Sequence, residues 1–244
     1  MSNESITADE FRTLAQSRSK FYGFLSSLFV RTPNEELVTN LLGEKLLSFL
    51  PSISNSAEIP DEMKQGLGII QAFIRSTKDN PRKKLLEELG VDWTRLFRGL
   101  KPGYGPPPPY ESVYASGSSE EGEQGIGAVL RTYREAGVDI GENTRERPDY
   151  IGIELDFMRF MTEKEMEAWK KSDSTEAIKC LRIENDFLTK HTKWIPKFCD
   201  KVLTEAQTDF YRGIARLTKG FLSMEEGHIE AYIDLVETNP NFSA

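Results

Sequence analysis

The stretch "PDYIGIELDFMRFMT", from Pro148 to Thr162, decides the fold class. Its side chains of low polarity recur at spacings of three and four, which places them on one face of a helix, and the proline at its beginning suits a helix start. That stripe consists of Ile151, Leu155, Met158, Met161 and Thr162. The same spacing continues along the chain, and no stretch shows the sustained alternation that is typical of strands. We therefore predict an all-α protein.

Helix start signals divide the chain into about nine or ten helices. Thr7 and Glu10 form a capping box before the first helix. Pro33 is predicted to be the first residue of a second helix that runs to about Leu50. The other helices are predicted over 61–77, from Asn80-Pro81 to Gly99, from Ser118 or Ser119 to Gly137, from Pro148, from Asp173, around Trp194 to Phe198 and, as one helix or a pair, over about 208–237. No linker separates two cores, so residues 1–244 are predicted to form a single-domain helical bundle with a long proline-rich loop.

The composition is that of a soluble globular protein, with 38% apolar and 29% charged residues in a chain of 244. The formal net charge of −8 argues against nucleic acid as the main partner and favours a basic one. The N-terminus does not have the pattern of a signal peptide, and the most apolar run, Phe21 to Val30, is too short to span a bilayer. Because there are only two cysteines, Cys180 and Cys199, we expect free thiols in a reducing compartment and predict a cytoplasmic protein.

The residue types that catalysis requires are scarce. The only histidines are His191 and His228, both expected at surface or capping positions, and Glu225 with His228 makes one Glu-x-x-His pair where a di-iron bundle needs two. No nucleophile elbow and no phosphate-binding loop are present. Cys180 lies among apolar residues, so we expect a packed thiol. We therefore predict a protein that is not an enzyme and holds no metal and no cofactor.

A second informative segment is "KPGYGPPPPYESVYASGS", Lys101 to Ser118, which we name the proline loop. Four consecutive prolines fix the backbone in an extended form, and the neighbouring tyrosines supply rigid contact area. The loop follows a helix that carries Trp93, Leu96 and Phe97. Three interpretations are open: one wall of a peptide-binding groove, a stiff connection whose tyrosines pack on the core, or a PxxP ligand for another domain.

Two acids lie near the apolar stripe of the helix predicted from Pro148. Asp149 is predicted to lie in the first turn, where the helix dipole favours a negative charge. Glu154 falls close to the apolar stripe, and an acid in that position is costly unless it is paired. These acids are interpreted either as a helix-start acid and a structural salt bridge, with an arginine such as Arg18, or as receivers of a cationic ligand.

Together the two segments resemble the TorD/DmsD/NarJ-like family of redox-enzyme maturation chaperones. Members of that family carry an aromatic-Leu-Phe stretch, then a Gly/Pro-rich loop ending like Pro-Pro-Tyr-Glu-Ser-Val-Tyr, then a Pro-Asp-His-Ile-x-x-Glu-Leu-x-Phe-Met helix. The corresponding residues here are Trp93, Leu96 and Phe97, then Pro108 to Tyr114, then Pro148 to Met158. A later His-x-x-Trp-x-x-x-Phe pattern matches His191, Trp194 and Phe198. The family's histidine is replaced by Tyr150, which keeps a ring and a hydrogen-bonding tip but cannot become a cation near neutral pH.

The resemblance implies an all-α, single-domain chaperone that binds the twin-arginine signal peptide of a molybdenum (or tungsten) oxidoreductase catalytic subunit and holds it until the cofactor is inserted. The acidic balance and the short apolar run predict no nucleic-acid partner and no stable membrane insertion, and the sequence leaves open whether the protein is a monomer or a dimer. The peptide-binding residues that it implies are Trp93, Leu96, Phe97, Pro109, Tyr110, Glu111, Tyr114, Pro148, Asp149, Tyr150 and Glu154.

Other functions stay open from the sequence. A NarJ-type assembly factor would use the same fold on a subunit that is not exported. A nucleotide-hydrolysing helical module and a plain helical adaptor belong to different functional classes.

Overall fold

The computed structural model describes residues 6–43, 59–99, 103–115, 119–139 and 146–238. Within these residues the chain forms ten α-helices and no β-strand, which confirms the predicted all-α class. The helices are α1 (Ala8–Val30), α2 (Glu35–Leu41), α3 (Asp61–Thr77), α4 (Arg82–Phe97), α5 (Glu111–Tyr114), α6 (Ser119–Glu135), α7 (Ile151–Lys170), α8 (Ser174–His191), α9 (Ile195–Glu205) and α10 (Asp209–Thr238). The last of them is a single helix of 30 residues rather than a pair.

Side-chain caps begin helices where the sequence indicates them. The Thr7 hydroxyl accepts a hydrogen bond from the Glu10 N–H (3.3 Å), and the Glu10 carboxylate accepts one from the Thr7 N–H (2.7 Å). The predicted capping box at the start of α1 is therefore confirmed. Asp173 similarly accepts from the Glu176 N–H (3.0 Å) and caps α8.

The predicted start of the second helix is wrong by two residues. The Asn34 side chain accepts a hydrogen bond from the Leu37 N–H (2.9 Å), so Asn34 is the capping residue and α2 begins at Glu35. Asn34 is the cap because its side chain accepts a hydrogen bond from a main-chain N–H at the start of the helix, and a proline side chain has no such acceptor. Pro33 therefore lies before the helix. The predicted extension of this helix to Leu50 lies outside the described residues.

The helices bury their apolar stripes against one another in a single cluster of buried side chains. Helix α1 lies along α7, α7 packs on α8, and α10 contacts α3, α8 and α9. The crossing of α3 and α10 is close because both helices carry glycine at the contact. A Cβ on Gly66 would lie 2.8 Å from the carbonyl oxygen of Gly213, and a Cβ on Gly213 would lie 2.5 Å from Ile70 Cγ1.

One buried arginine joins four helices. Arg18 of α1 contacts Glu165 of α7 (2.7 Å), Glu184 of α8 and Glu225 of α10 (2.8 Å), and none of the four side chains is more than 6% exposed. The suggested salt bridge between Arg18 and Glu154 is therefore wrong. Glu154 lies elsewhere on α7, and the three glutamates that face Arg18 come from three different helices, which no spacing along the chain reveals.

A buried aspartate links α4 to the start of α10. The Asp92 carboxylate accepts hydrogen bonds from the main-chain N–H groups of Gln207 (3.0 Å) and Thr208 (2.8 Å), which immediately precede α10. It also pairs with Arg95 at 3.2 Å. This arrangement holds the C-terminal half of α4 against the start of α10. Arg95 also donates to the carbonyls of Tyr104 (3.3 Å) and of Glu205, so it links the described part of the proline loop to the end of α9.

Candidate functional site

The proline loop and the start of α7 are joined directly through their main chains. The Glu111 N–H donates to the Asp149 carbonyl (2.8 Å), and the Ile151 N–H donates to the Pro109 carbonyl (3.0 Å). Tyr110 and Tyr150 thus form an isolated antiparallel bridge. The two segments that the sequence singles out are therefore neighbours, in direct contact rather than on two sides of an open cleft.

This junction corrects the predicted start of α7. Pro148 and Asp149 lie in a turn, and the helix begins at Ile151, so Asp149 is not in the first helical turn. The reason is the pairing with the proline loop, which holds Tyr150 in an extended conformation, so that the helix begins only at Ile151. The Pro148 carbonyl accepts a hydrogen bond from the Tyr133 hydroxyl (2.9 Å), which fixes the turn against α6.

The described part of the proline loop, residues 103–115, folds back over the end of α4. A Cβ on Gly105 would overlap the carbonyl oxygen of Arg95, so only glycine permits this close approach. Pro106 and Pro109 are buried, while Pro107 is exposed and its carbonyl accepts from the Tyr114 hydroxyl (2.7 Å). The described part of the loop is thus a stiff segment held against α4 and by the Tyr114 hydroxyl.

Most of the aromatic and apolar residues expected to bind a peptide lie in the core. Trp93, Leu96, Phe97 and Tyr114 are between 0 and 7% exposed. The Trp93 indole donates to the Leu28 carbonyl (3.0 Å), and Tyr114 stacks on Trp194 with ring centroids 5.5 Å apart. These four side chains therefore belong to the core rather than to an exposed peptide-binding surface.

Tyr150, which replaces the family's histidine, is also fully buried. Its hydroxyl donates to the Phe29 carbonyl (2.8 Å), and its ring lies 5.3 Å from that of Tyr110. Burial raises the pKa of this phenol, with a further contribution from the charge of Glu146. The side chain is therefore neutral at physiological pH and acts as a support for Tyr110.

Asp149 is fully buried, and its carboxylate is covered by an exposed arginine of this chain. Its carboxylate receives Nε and Nη2 of Arg147 at 3.0 and 2.8 Å and the Ser112 N–H at 3.2 Å. The Arg147 side chain is 46% exposed, and its guanidinium carbon lies 4.6 Å from the centre of the Tyr110 ring. This carboxylate is consequently separated from solvent by a single exposed cation.

Glu111 and His191 form a second polar pair below the loop. His191 Nδ1 lies 3.2 Å from the nearer Glu111 carboxylate oxygen, and His191 Nε2 lies 3.1 Å from the Thr132 hydroxyl. Burial raises the pKa of Glu111, and the bond to His191 opposes the rise. His191 is only 5% exposed, so it is not a surface histidine, although it is the last residue of α8.

Glu154, like Asp149, is fully buried. One of its carboxylate oxygens accepts from the Trp194 indole N–H (3.0 Å), and the other, Oε1, has no hydrogen-bond partner. Burial, and next the charge of Glu111, raise the pKa of Glu154 well above its ordinary value. A protonated carboxyl is therefore the form that this position favours.

Sequence reasoning missed the charged residues that cover the site. Arg98, 40% exposed, pairs with the carboxylate of Glu146, and its guanidinium carbon lies 5.6 Å from the centre of the Trp93 ring. The Tyr110 hydroxyl donates to the other oxygen of Glu146 (3.3 Å). The only signal in the sequence was that Arg98 and Arg147 flank the two motifs; nothing in their spacing places them on one surface.

Other kinds of site find little support within the described part of the chain. No group of three or more His, Cys, Asp or Glu residues there is arranged to hold a metal ion. Cys180 and Cys199 are free and buried, as expected of packed thiols. None of the described helices has the length and apolarity that a membrane span requires.

Comparison with known proteins places the chain in a family. The family model described as nitrate reductase delta subunit matches residues 56–200, more than half of the chain. The chain is 26% identical over 227 residues to the chaperone protein TorD of Vibrio cholerae serotype O1 (strain M66-2), a match that covers 92% of this chain and 97% of that protein. It is 24% identical over 221 residues to the chaperone protein TorD of Vibrio parahaemolyticus serotype O3:K6 (strain RIMD 2210633), covering 90% and 98%.

The fold and these matches define the class, which is that of all-α chaperone-family proteins. The chain belongs to the nitrate reductase delta subunit family, the TorD/DmsD/NarJ-like redox-enzyme maturation chaperones. The resemblance drawn from the two sequence motifs is thereby confirmed.

Proposed function

We propose that this protein is a cytoplasmic chaperone without turnover chemistry that binds the twin-arginine signal peptide of a molybdenum (or tungsten) oxidoreductase catalytic subunit. It holds that subunit back from export until the cofactor has been inserted. The observation that carries the proposal is the main-chain junction between the proline loop and the start of α7, which gathers Glu111, Asp149 and Glu154 beneath one stretch of surface. The formal net charge of −8 supports attraction of a basic leader.

The residues of the site divide into two groups in this proposal. Tyr110, which is half-buried, and Asp149, which lies directly under the exposed Arg147, contact the leader. The other residues named from the sequence act as positioning residues, because they are buried or, in the case of Pro148, half-buried, and fix the shape of the loop or of the turn before α7. This second group comprises Trp93, Leu96, Phe97, Pro109, Glu111, Tyr114, Pro148, Tyr150 and Glu154.

Binding of a synthetic leader to the purified protein tests the proposal. We expect calorimetry to detect a peptide that contains the two arginines and to find much weaker binding when both are replaced by lysine, because lysine cannot form the forked contact with a carboxylate. Tyr110→Ala combined with Asp149→Ala should weaken binding at least about tenfold, since a hydrogen bond to a charged group contributes about 1.5–3 kcal/mol.

The matched control is Asp209→Ala, which removes an exposed acid at the start of α10 that pairs with Arg212. Circular dichroism should show the same helicity in both variants and in the original protein. Equal leader affinity in the original protein and in the double variant would remove the site assignment.

The description of the matching family model favours a second candidate client. In this alternative the protein would assemble a catalytic subunit that is not exported and whose N-terminus is only a remnant of a leader. Capture of the client from the native cytoplasm, followed by sequencing of its first residues, separates the two possibilities. An intact twin-arginine motif supports the first, and an N-terminus without it supports the second.

A further inference from the structure

The surface above the junction contains two positions where a guanidinium group is bound by an acid and an aromatic ring. At the first guanidinium site, Arg147 donates two hydrogen bonds to Asp149 and one to the Ser112 hydroxyl (2.6 Å). The same group lies over the ring of Tyr110, 4.6 Å from its centre. A fork of donors on a carboxylate and a planar cation on an aromatic face are the contacts that arginine makes and lysine does not.

At the second guanidinium site, Arg98 pairs with Glu146 and lies 5.6 Å from the centre of the Trp93 ring. The Glu146 side chain is 12% exposed, whereas the Arg98 side chain is 40% exposed. The acid therefore forms the wall of the site, and the arginine lies over it at the surface. The bond to Glu146, ahead of the opposing effect of burial, raises the pKa of Arg98. The site therefore suits a permanent cation.

Tyr110 connects the two sites. Its ring lies under the guanidinium of Arg147, while its hydroxyl donates to Glu146, the acid that holds Arg98 (3.3 Å). Two cation positions separated by one tyrosine match a ligand that carries two guanidinium groups on neighbouring residues of a flexible peptide.

Arg98 and Arg147, the two resident arginines, can be displaced by arginines of a bound peptide. Their side chains are 46% and 40% exposed, so each can swing into water, where a charged group is solvated at little cost. The acids beneath them, Asp149 at 0% and Glu146 at 12% side-chain exposure, need a cation in place. An incoming guanidinium can therefore take the place of a resident one on the same carboxylate.

We propose that Arg147 and Arg98 occupy, in the free protein, two guanidinium sites that the arginines of a bound peptide take over. The chain's own arginines thereby compete with the client, hold the acids in position and reject peptides that carry lysine. The identity of the peptide rests on the function proposed above, whereas the existence of the two sites does not.

Replacement of the resident arginines tests the inference. We take Arg147 to leave its site open in about one molecule in ten, which lowers the apparent affinity for the leader about tenfold. Arg147→Ala should therefore bind the twin-arginine leader about tenfold more tightly than the original protein. Arg98→Ala should act in the same direction, and the double variant should exceed either one. Arg12→Ala, which removes a partly exposed arginine that pairs with Asp9 on α1, is the matched control and should leave affinity unchanged.

A small cation tests the sites without any leader. Arg147→Ala leaves Asp149 without its counter-ion, so millimolar methylguanidinium should raise the melting temperature of this variant saturably, by binding to the folded state. Methylammonium should not do so, and neither cation should stabilise the original protein or Arg12→Ala.

The outcomes separate the two proposals. Tighter leader binding by Arg147→Ala together with rescue by methylguanidinium supports both. Leader binding that is unchanged or weaker in a folded Arg147→Ala, with no rescue, overturns the guanidinium sites and leaves the proposed function standing. Rescue by methylguanidinium without leader binding in any variant keeps the sites and overturns the proposed function.

Discussion

At the scale of single residues, Arg18 has the largest number of buried charged neighbours among the ion pairs described above. Three glutamates face it in the interior, and one cation cannot neutralise three carboxylates. Burial raises the pKa of Glu165 and of Glu184, while the charge of Arg18 opposes the rise in each. The cluster is consequently stable when protons reside on part of it and Arg18 remains as the counter-ion. It holds α1, α7, α8 and α10 together through polar contacts.

Replacing this arginine should be severely destabilising. We expect Arg18→Met to lower the free energy of unfolding by about 3–5 kcal/mol, because removal of one partner leaves buried charges uncompensated. Urea denaturation followed by circular dichroism measures the change. Arg12→Met, on the exposed face of the same helix, should cost no more than about 1 kcal/mol. Comparable losses in the two variants would mean that the cluster does not hold the helices together.

At the scale of helices, the crossing of α3 and α10 depends on close approach of their backbones. Gly66 is buried, and a Cβ there would lie 2.8 Å from two main-chain atoms of α10, the Gly213 oxygen and the Leu217 nitrogen. Gly68, two residues along, is exposed and has no atom within 4 Å of its would-be Cβ. The two glycines have the same helical backbone and differ in what lies opposite.

Alanine at these two positions should therefore act in opposite directions. We expect Gly66→Ala to destabilise by about 1–3 kcal/mol, because main-chain atoms of α10 cannot move aside without separating the helices. Gly68→Ala should stabilise by up to about 1 kcal/mol through the better helix propensity of alanine. Thermal and urea denaturation of both variants provide the measurement. A stabilising Gly66→Ala would contradict the close crossing.

At the scale of the whole molecule, the buried acids make stability depend on pH. Burial raises the pKa of Glu111, Glu154, Glu165 and Glu184 in the folded protein. Unfolded glutamate titrates near pH 4.3, so above that pH the folded state holds protons that the unfolded chain has released. The contribution of these groups is complete below about pH 4.3 and is lost as pH rises through their raised pKa values.

Glu184→Gln isolates one of these protons. The amide resembles the protonated acid in shape and in being neutral, so the variant has no proton to take up on folding. Between pH 5 and pH 8 its stability relative to the original protein should therefore rise with pH, by at most about 1.4 kcal/mol per pH unit. Urea denaturation across this range gives the slope. Glu87→Gln, at an exposed position of α4, should show none, and a falling difference for Glu184→Gln would reverse the assignment.

Local signals allowed much of the fold to be predicted. The capping residues Thr7 and Asp173, the span of α3 and the stop at Gly137 follow from interactions within a few residues of the chain. The start of α7 was misplaced because a distant segment, the proline loop, pairs with residues 149–151. A local pattern contains no information about such a partner.

The all-α class, most helix positions and the family could be predicted from the chain alone, because helical periodicity, caps and two consecutive motifs are properties of neighbouring residues. The pairing of acids with bases is visible only in the folded protein: Arg18 with Glu165, Glu184 and Glu225, and Arg147 with Asp149 beside Tyr110. The physical reason is that burial and Coulomb attraction act between groups that are close in space. In this chain the partners of Arg18 are 147 to 207 residues away from it in sequence.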